Sequence, residues 1–147
     1  MKILLTGCMG FIGHAVVRQL VDAGHQVVGV DNLNHAYDPA LKVWRRNFLS
    51  PLEGEGFEFE ELDITVQEEI DSVLDHGNFD AVINLAARAG VRDSVMDPWI
   101  YYETNVSGTL NLLEGSRRNG IARFVQASTS SLYGNNKVPF TEDDPTD

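Results

Sequence analysis

Close to the amino terminus the chain reads Gly7-Cys8-Met9-Gly10-Phe11-Ile12-Gly13, with a glycine at every third position. Glycines so spaced let a backbone turn tightly and bring its N–H groups against a pyrophosphate. A helix beginning at the same place adds unsatisfied N–H groups and the positive end of its dipole. The pattern alone is shared with many glycine-rich turns. Asp31 narrows it, because it stands at the end of the next apolar run, eighteen residues after Gly13. A carboxylate there accepts hydrogen bonds from the hydroxyls of an adenosine ribose. Its charge repels the additional phosphate of NADP, so the expected cofactor is NAD. The plainer alternative for Asp31 is a solvated aspartate at a strand end.

Hydroxyl groups gather at Ser128-Thr129-Ser130-Ser131, after the apolar run Ala122–Ala127. At the C-terminal end of a parallel strand they face the crevice where such sheets bind ligands. The competing reading is a Ser/Thr turn whose hydroxyls cap backbone groups. Arg88 and Arg92 flank Gly90 and suit either an anionic ligand or surface pairing with Asp93 or Asp97. Cys8, beside a helix start, is a thiol of lowered pKa or a small residue filling a tight turn. The histidines at 14, 25, 35 and 76 lack metal-ligand spacing, so no metal site is expected. Asp143-Asp144 reads as a solvated loop.

These groups need a frame. Lys2–Thr6 is of strand type, and Phe11–Ala23 carries apolar Ile12, Ala15, Val16, Leu20 and Ala23 at helical period before Gly24. Gln26–Val30 is a second strand, which completes the length of a βαβ unit. Pro39–Phe48 suits a short helix inside a polar connection, and Gly56–Leu62 an edge strand. Thr65 and Glu68 have capping-box spacing ahead of Ile70, Val73 and Leu74, with Gly77 as the stop. Asp80–Leu85 is a fourth strand. Asp97-Pro98 opens a helix running through Val106, Leu110 and Leu113 to Asn119-Gly120, and Ala122–Ala127 is a fifth strand. Strands alternating with helices predict an α/β, Rossmann-like, doubly wound parallel sheet in order 3-2-1-4-5. The domain is expected over 1–134, with 135–147 as an acidic loop leading away from it.

With 43% hydrophobic and 22% charged residues the chain is of ordinary globular type, and its apolar runs are far too short to span a bilayer. The formal net charge of −11 opposes nucleic-acid binding. A single cysteine excludes an internal disulfide and fits a reducing compartment, so the cytoplasm is expected.

Five segments in order resemble the extended short-chain dehydrogenase/reductases, the NAD-dependent epimerases and dehydratases. They are Thr6-Gly7-x-x-Gly10-Phe11-Ile12-Gly13, Asp63-Ile64, Leu85-Ala86-Ala87, Asn105-Val106-x-Gly108-Thr109, and Ala127-Ser128-Thr129-Ser130-Ser131-Leu132-Tyr133-Gly134. The resemblance implies cofactor contacts at Gly7, Gly10, Phe11, Ile12, Gly13, Asp31, Asn32, Asp63, Ile64, Leu85, Ala86, Ala87 and Asn105. The loops Asp31-Asn32-Leu33-Asn34-x-x-Tyr37-Asp38-Pro39-x-Leu41-Lys42 and Ala89-Gly90-Val91-Arg92-x-Ser94 are most similar to those of UDP-glucuronate 4-epimerases. UDP-glucose epimerases, UDP-glucuronate decarboxylases and nucleotide-sugar 4,6-dehydratases share the frame.

By the same resemblance, chemistry is transient oxidation at C4 of a nucleotide sugar, with Thr129 as the catalytic hydroxyl and Ser130 and Ser131 as substrate contacts for a uronic acid carboxylate. Family members complete the site with a Tyr-x-x-x-Lys pair on a later helix, which here falls beyond Asp147. Tyr133 and Lys137 have that spacing, yet they lie in the loop after the fifth strand, and Tyr133 matches a noncatalytic tyrosine of the family. The 147-residue chain is therefore expected to be inactive alone, as the N-terminal piece of a longer enzyme or as a naturally short NAD-binding module. Missing the later helix, it should leave part of a face with Tyr101, Val106, Leu110 and Leu113 uncovered and self-associate.

Overall fold

The computed structural model describes residues 1–146. Five parallel strands, β1 (Lys2–Thr6), β2 (Gln26–Asp31), β3 (Phe57–Glu61), β4 (Ala81–Asn84) and β5 (Phe124–Gln126), form one sheet in the order β3-β2-β1-β4-β5. That is the predicted order, with β3 at an edge. Leu4 pairs with Val28 and Val82, and Leu5 with Gly29 and Ile83. Alternation along the strands sends neighbouring side chains to opposite faces, and both faces are covered. One core joins Leu4, Val28, Val30 and Val82 to Ile70, Leu74 and Leu112; the other joins Leu5 and Val27 to Cys8, Met9, Val17, Leu49 and Phe57.

The first helix, α1, spans Gly13–Asp22, with Ile12 as its N-cap. Its inner face is Gly13 and Val17, with Val16, Leu20 and Val21 packed alongside. Ile12, which the periodicity put on that face, is 62% exposed because it precedes the first turn. A helix α2 (Pro39–Leu49) opens with Pro39 after Asp38, whose carboxylate accepts from the Ala40 N–H at 2.9 Å. Helix α3 spans Gln67–Gly77 and ends with Asn78 in the left-handed conformation. The Thr65/Glu68 capping box does not form. Val66 is the N-cap, the Thr65 hydroxyl donates to Asp63, and it is Glu69 that reaches back, to the Asp63 N–H. Asp63 is the stronger acceptor and captures the threonine.

After β4 the chain makes a short helix α4 (Val91–Met96), which the periodicity did not show, and then α5 (Pro98–Tyr102). Asp97 precedes Pro98 as expected but makes no side-chain cap. The run continues as a π-helical segment, Glu103–Gly108, into α6 (Thr109–Arg118). An inserted π turn shifts the helix face, which the 3.6-residue pattern cannot reveal. The run lies close to its neighbours through two glycines, Gly108 at the end of the π segment and Gly115 in α6: a Cβ on the first would meet Ile64 at 2.7 Å, and one on the second would overlap Leu74. Its outer side leaves Val106, Leu110 and Leu113 exposed, whereas Tyr101 is half-buried and donates to the Ala89 carbonyl at 3.0 Å. Among the described residues no helix is long and apolar enough to cross a membrane.

Candidate functional site: a glycine-loop cleft beside a hydroxyl pocket

The glycine loop crosses the C-terminal ends of β1 and β4. Gly7 has φ +68°, and a Cβ there would lie 2.8–2.9 Å from the backbone of Leu85 and Ala86. The close approach of loop and sheet thus requires glycine on two counts. A Cβ on Gly13 would collide with the Gly7 carbonyl, so this position serves the packing of helix on loop. No side chain caps α1, and among the described residues the N–H groups of Phe11 and Ile12 donate to no protein acceptor. Both residues are largely exposed. A helix start with free, solvent-facing N–H groups suits an anion such as a pyrophosphate.

Asp31, at the end of β2, is the hub of the adjoining corner. Its Oδ2 accepts from the Met9 N–H at 3.1 Å, and its Oδ1 accepts from the Leu33 N–H at 2.9 Å and from Lys42 Nζ at 2.8 Å. Asp31 and Lys42 are 7% and 5% exposed, so this is an enclosed ion pair and not a solvated strand end. Arg45, also buried, donates from Nη1 to the Met9 carbonyl and to the Tyr37 hydroxyl. α2 therefore folds back over the loop and closes one side of the cleft. Nothing in its local pattern announced that, because Lys and Arg in a polar connection read as surface.

The second carboxylate comes from after β3. Asp63 accepts from the Thr65 N–H and hydroxyl and, at 2.7 Å, from the Asn32 amide. Partial burial works to raise its pKa, but these bonds and the nearby charge of Arg88 outweigh it and hold the carboxyl below its ordinary value. Asn32 and Asn34 shape the intervening loop through their own backbone neighbours. Leu33 sits there at φ +50°, an unusual conformation for a non-glycine residue, held by the bond from its N–H to Asp31.

Beneath the cleft lies a buried polar network. Thr6 Oγ1 accepts from the Leu85 and Ala86 N–H groups and donates to Asn84, whose amide donates to Thr109 and Gln126. These bonds fix the Leu85-Ala86-Ala87 turn, and the segment beyond it is held by Asn105. That side chain accepts from the Arg88 N–H at 2.8 Å and donates to the Arg88 carbonyl at 3.0 Å. It does not line this cleft but does line a wider cavity that adjoins it. Arg88 keeps a buried Nε with no partner among the described residues.

The cleft wall includes Gly7, Gly10, Asp31, Asn32, Asp63, Ile64, Leu85, Ala86 and Ala87 from the expected cofactor contacts. Phe11, Ile12 and Gly13 stand outside it, at the helix start. Tyr37 and Lys42, which the matched loop includes without a stated role, and Thr104 line it as well. Ala86 and Ala87 also line a second, wider cavity with Arg88, Ser128, Thr129 and Ser131, whereas Ser130 does not reach it. Thr129 caps the 3-10 turn Ser130–Tyr133, its Oγ1 accepting from the Ser131 N–H at 3.2 Å. The backbone-capping role is thus present, and Thr129 lines the cavity as well. Tyr133 stacks on Phe140 at 5.1 Å and is absent from the cavity wall.

Cys8 is fully buried, and burial pushes its thiol well above its ordinary pKa, with Asp31 adding to the effect. It fills the turn. Among the described residues no group of three His, Cys, Asp or Glu could hold a metal ion.

Residues 3–147 match the model of the NAD dependent epimerase/dehydratase family. Over 140 residues the chain is 48% identical to a UDP-glucuronate 4-epimerase of Thermodesulfobacterium geofontis, covering 95% of this chain and 43% of that one. It is 42% identical to UDP-glucuronate 4-epimerase 1 of Arabidopsis thaliana, over 99% of this chain and 34% of the relative. The crystal structure of UDP-glucuronic acid 4-epimerase from Bacillus cereus, in complex with UDP-glucuronic acid and NAD, superposes with a TM-score of 0.86 at 33% identity, covering 99% of this chain and 46% of that one. The chain thus spans less than half the length of these relatives. Glycine loop, paired carboxylates and five-stranded frame agree with what the whole-chain match states: this chain belongs to the NAD dependent epimerase/dehydratase family.

Proposed function

We propose that the chain is the dinucleotide-holding part of a nucleotide-sugar 4-epimerase, that its cofactor is NAD, and that the sugar is UDP-glucuronate. The observation that carries this reading is the shared wall: Ala86 and Ala87 line both the cleft with Asp31 and Asp63 and the cavity with Thr129 and Ser131. A dinucleotide along the first would end at the second, beside the hydroxyls. The two UDP-glucuronate 4-epimerases named above support the choice of sugar.

Bound NAD would accept the hydrogen at sugar C4 as hydride and return it to the other face. The chain's own residues bind and orient. The free N–H groups of Phe11 and Ile12 receive the pyrophosphate, Asp31 and Asn32 take the adenosine ribose, and Asp63 and Ile64 flank the adenine. The Thr129 hydroxyl, now 3.3 Å from Ser131 Oγ, exchanges that weak bond for one to the sugar hydroxyl. Ser131 can then turn toward the uronate carboxylate, with Ser130 on the outside of the same turn. Tyr133 lies outside the wall of the cavity that holds Thr129, with its ring on Phe140, and is not placed as a proton acceptor; no other tyrosine follows Thr129 in these 147 residues. The 147 residues alone are expected to bind dinucleotide without turnover.

The isolated chain should also self-associate through the exposed side of Val106, Leu110 and Leu113, since large apolar patches favour association. A clean monomer by light scattering at high concentration would contradict this. The acidic surface disfavours nucleic acid as a partner. Cys8, the single cysteine, suits the cytoplasm. Titration of the chain with NADH, followed by nicotinamide fluorescence, tests the cofactor. The substrate is tested in a chain extended to the relatives' length, by NMR of the C4 configuration after incubation with UDP-glucuronate. A configuration that stays unchanged removes the epimerase reading.

A further inference from the structure

The buried pair Asp31–Lys42 raises a question that NAD binding by itself leaves open. A ribose needs an acceptor, and Asp31 provides one, yet the corner also encloses two cations. Lys42 Nζ is 2.8 Å from Asp31 Oδ1 and lines the cleft. Arg45 lies behind it, 7% exposed, and among the described residues it has no carboxylate within salt-bridge distance. The Tyr37 ring has both cations near it, Lys42 Nζ at 5.5 Å and Arg45 Cζ at 5.4 Å from its centre. The local sum is one negative charge against two positive ones, an unexpected surplus for a corner that has only to hold a neutral sugar hydroxyl.

We infer that Lys42, backed by Arg45, is a latent receptor for the 2′-phosphate of NADP, masked by Asp31. The inference rests on the dinucleotide reading of the cleft. A group hydrogen-bonded to Asp31 lies about 3 Å from the carboxylate, and by ordinary bond lengths roughly 5–7 Å from Lys42 Nζ. Coulomb energy falls with distance, so the carboxylate in contact outweighs the ammonium at about twice that separation. With Asp31 present the phosphate meets the nearer negative charge, and the ammonium is already engaged. With Asp31 removed, Lys42 is released on a short tether, facing the same spot, and the cleft's remaining carboxylate, Asp63, is engaged by Asn32 and Thr65. The exclusion of NADP thus depends on one carboxylate and not on the character of the whole pocket.

The test is equilibrium binding of NADH and NADPH by the chain, read by nicotinamide fluorescence. The wild-type chain should bind NADH at least about tenfold more tightly than NADPH, and Asp31→Ser should improve NADPH affinity by about tenfold or more, the effect of one unit charge in a partly enclosed site. The double variant Asp31→Ser/Lys42→Met should lose that gain. No gain in Asp31→Ser, or an equal gain in the double variant, overturns the inference. Should Asp31→Ser fail to fold by circular dichroism, Lys42→Met decides alone. Without the ammonium the Asp31 charge is unopposed, and the preference for NADH over NADPH must steepen severalfold; an unchanged preference overturns the proposal. A wild-type chain that binds neither dinucleotide refutes the cofactor reading and the inference with it. NADH binding without the NADPH gain refutes the inference only.

Discussion

Replacing Gly7 by alanine separates two costs that the structure assigns to one residue. The first is conformational. At φ +68° an L side chain pays about 1–2 kcal/mol. The second is steric. The new methyl would sit 2.8 Å from Ala86 N and 2.9 Å from the Leu85 carbonyl atoms. Those atoms are backbone, and the Thr6 hydroxyl holds both N–H groups of that turn. They cannot swing aside as a flexible side chain would, so overpacking adds about 1–3 kcal/mol. The sum is about 2–5 kcal/mol, which at a mid-range urea m-value of about 2 kcal/mol/M lowers the midpoint by roughly 1–2.5 M. Gly24 is the control. Its φ is +82°, but nothing lies within 4 Å of its Cβ, so Gly24→Ala carries the conformational cost alone. Urea unfolding of both variants, followed by circular dichroism, gives the contact cost as the difference. Gly7→Ala should also abolish NADH binding while Gly24→Ala retains it. Equal losses of stability in the two variants would show that loop and sheet are not in the tight apposition described, and the reasoning would fail.

Asp63 has a folded-state pKa below its ordinary value. Its contribution to stability is therefore complete above the unfolded value, about 3.9, and is lost as the pH falls through the folded one. Thr65→Val and Asn32→Ala should reduce the loss of stability on acidification below that point, measured by thermal melting across pH 2–5 (roughly the carboxylate range); an unchanged acid limb would contradict the assignment. Cys8, buried and with its thiol raised, should be inert to Ellman's reagent at neutral pH until the chain unfolds. Stoichiometric reaction of the native chain would show the glycine turn to be open. Asn105→Ala removes two hydrogen bonds from Arg88 and should cost about 1–2 kcal/mol. Amide exchange should accelerate at 86–90 and not in β1, whereas a uniform acceleration would mean that Asn105 supports the whole fold and not the loop.

The frame was legible because its signals are local and periodic. Both faces of β1 and β2 are buried, so those strands appear as continuous apolar runs, and the glycines before and after α1 punctuate that helix as expected, whereas α3 runs through the expected stop Gly77 and ends at left-handed Asn78. Boundaries failed where a polar group had two possible partners. Thr65 had the spacing to cap α3, but the Asp63 carboxylate two residues earlier captured its hydroxyl. The π segment escaped because one additional residue in a turn leaves composition unchanged. Of the expected site, Gly7 and Gly10 of the loop and the residues at the ends of β2 and β4 line one cleft, since their positions follow from the motif. Tyr37 and Lys42 were part of a matched segment without a stated role. Lys42 meets Asp31 eleven positions away, and Arg45 meets the Met9 carbonyl thirty-six positions away, distances at which no helical or strand period operates.

That difference explains why α2 matters more to the cleft than its sequence suggests. A buried ion pair such as Asp31–Lys42 contributes little net stability, because the loss of hydration offsets the attraction. A well-packed apolar pair would hold α2 against the loop about as well. What an apolar pair could not do is leave a carboxylate with a free acceptor direction in an enclosed corner. Lys42 pairs with the Asp31 carboxylate inside the fold, Arg45 anchors the helix that delivers Lys42, and the Met9 and Leu33 N–H groups fix the carboxylate's orientation. The chemistry attributed to one aspartate at the end of a strand therefore belongs to an assembly, and the helix that reads as a polar connection supplies half of it.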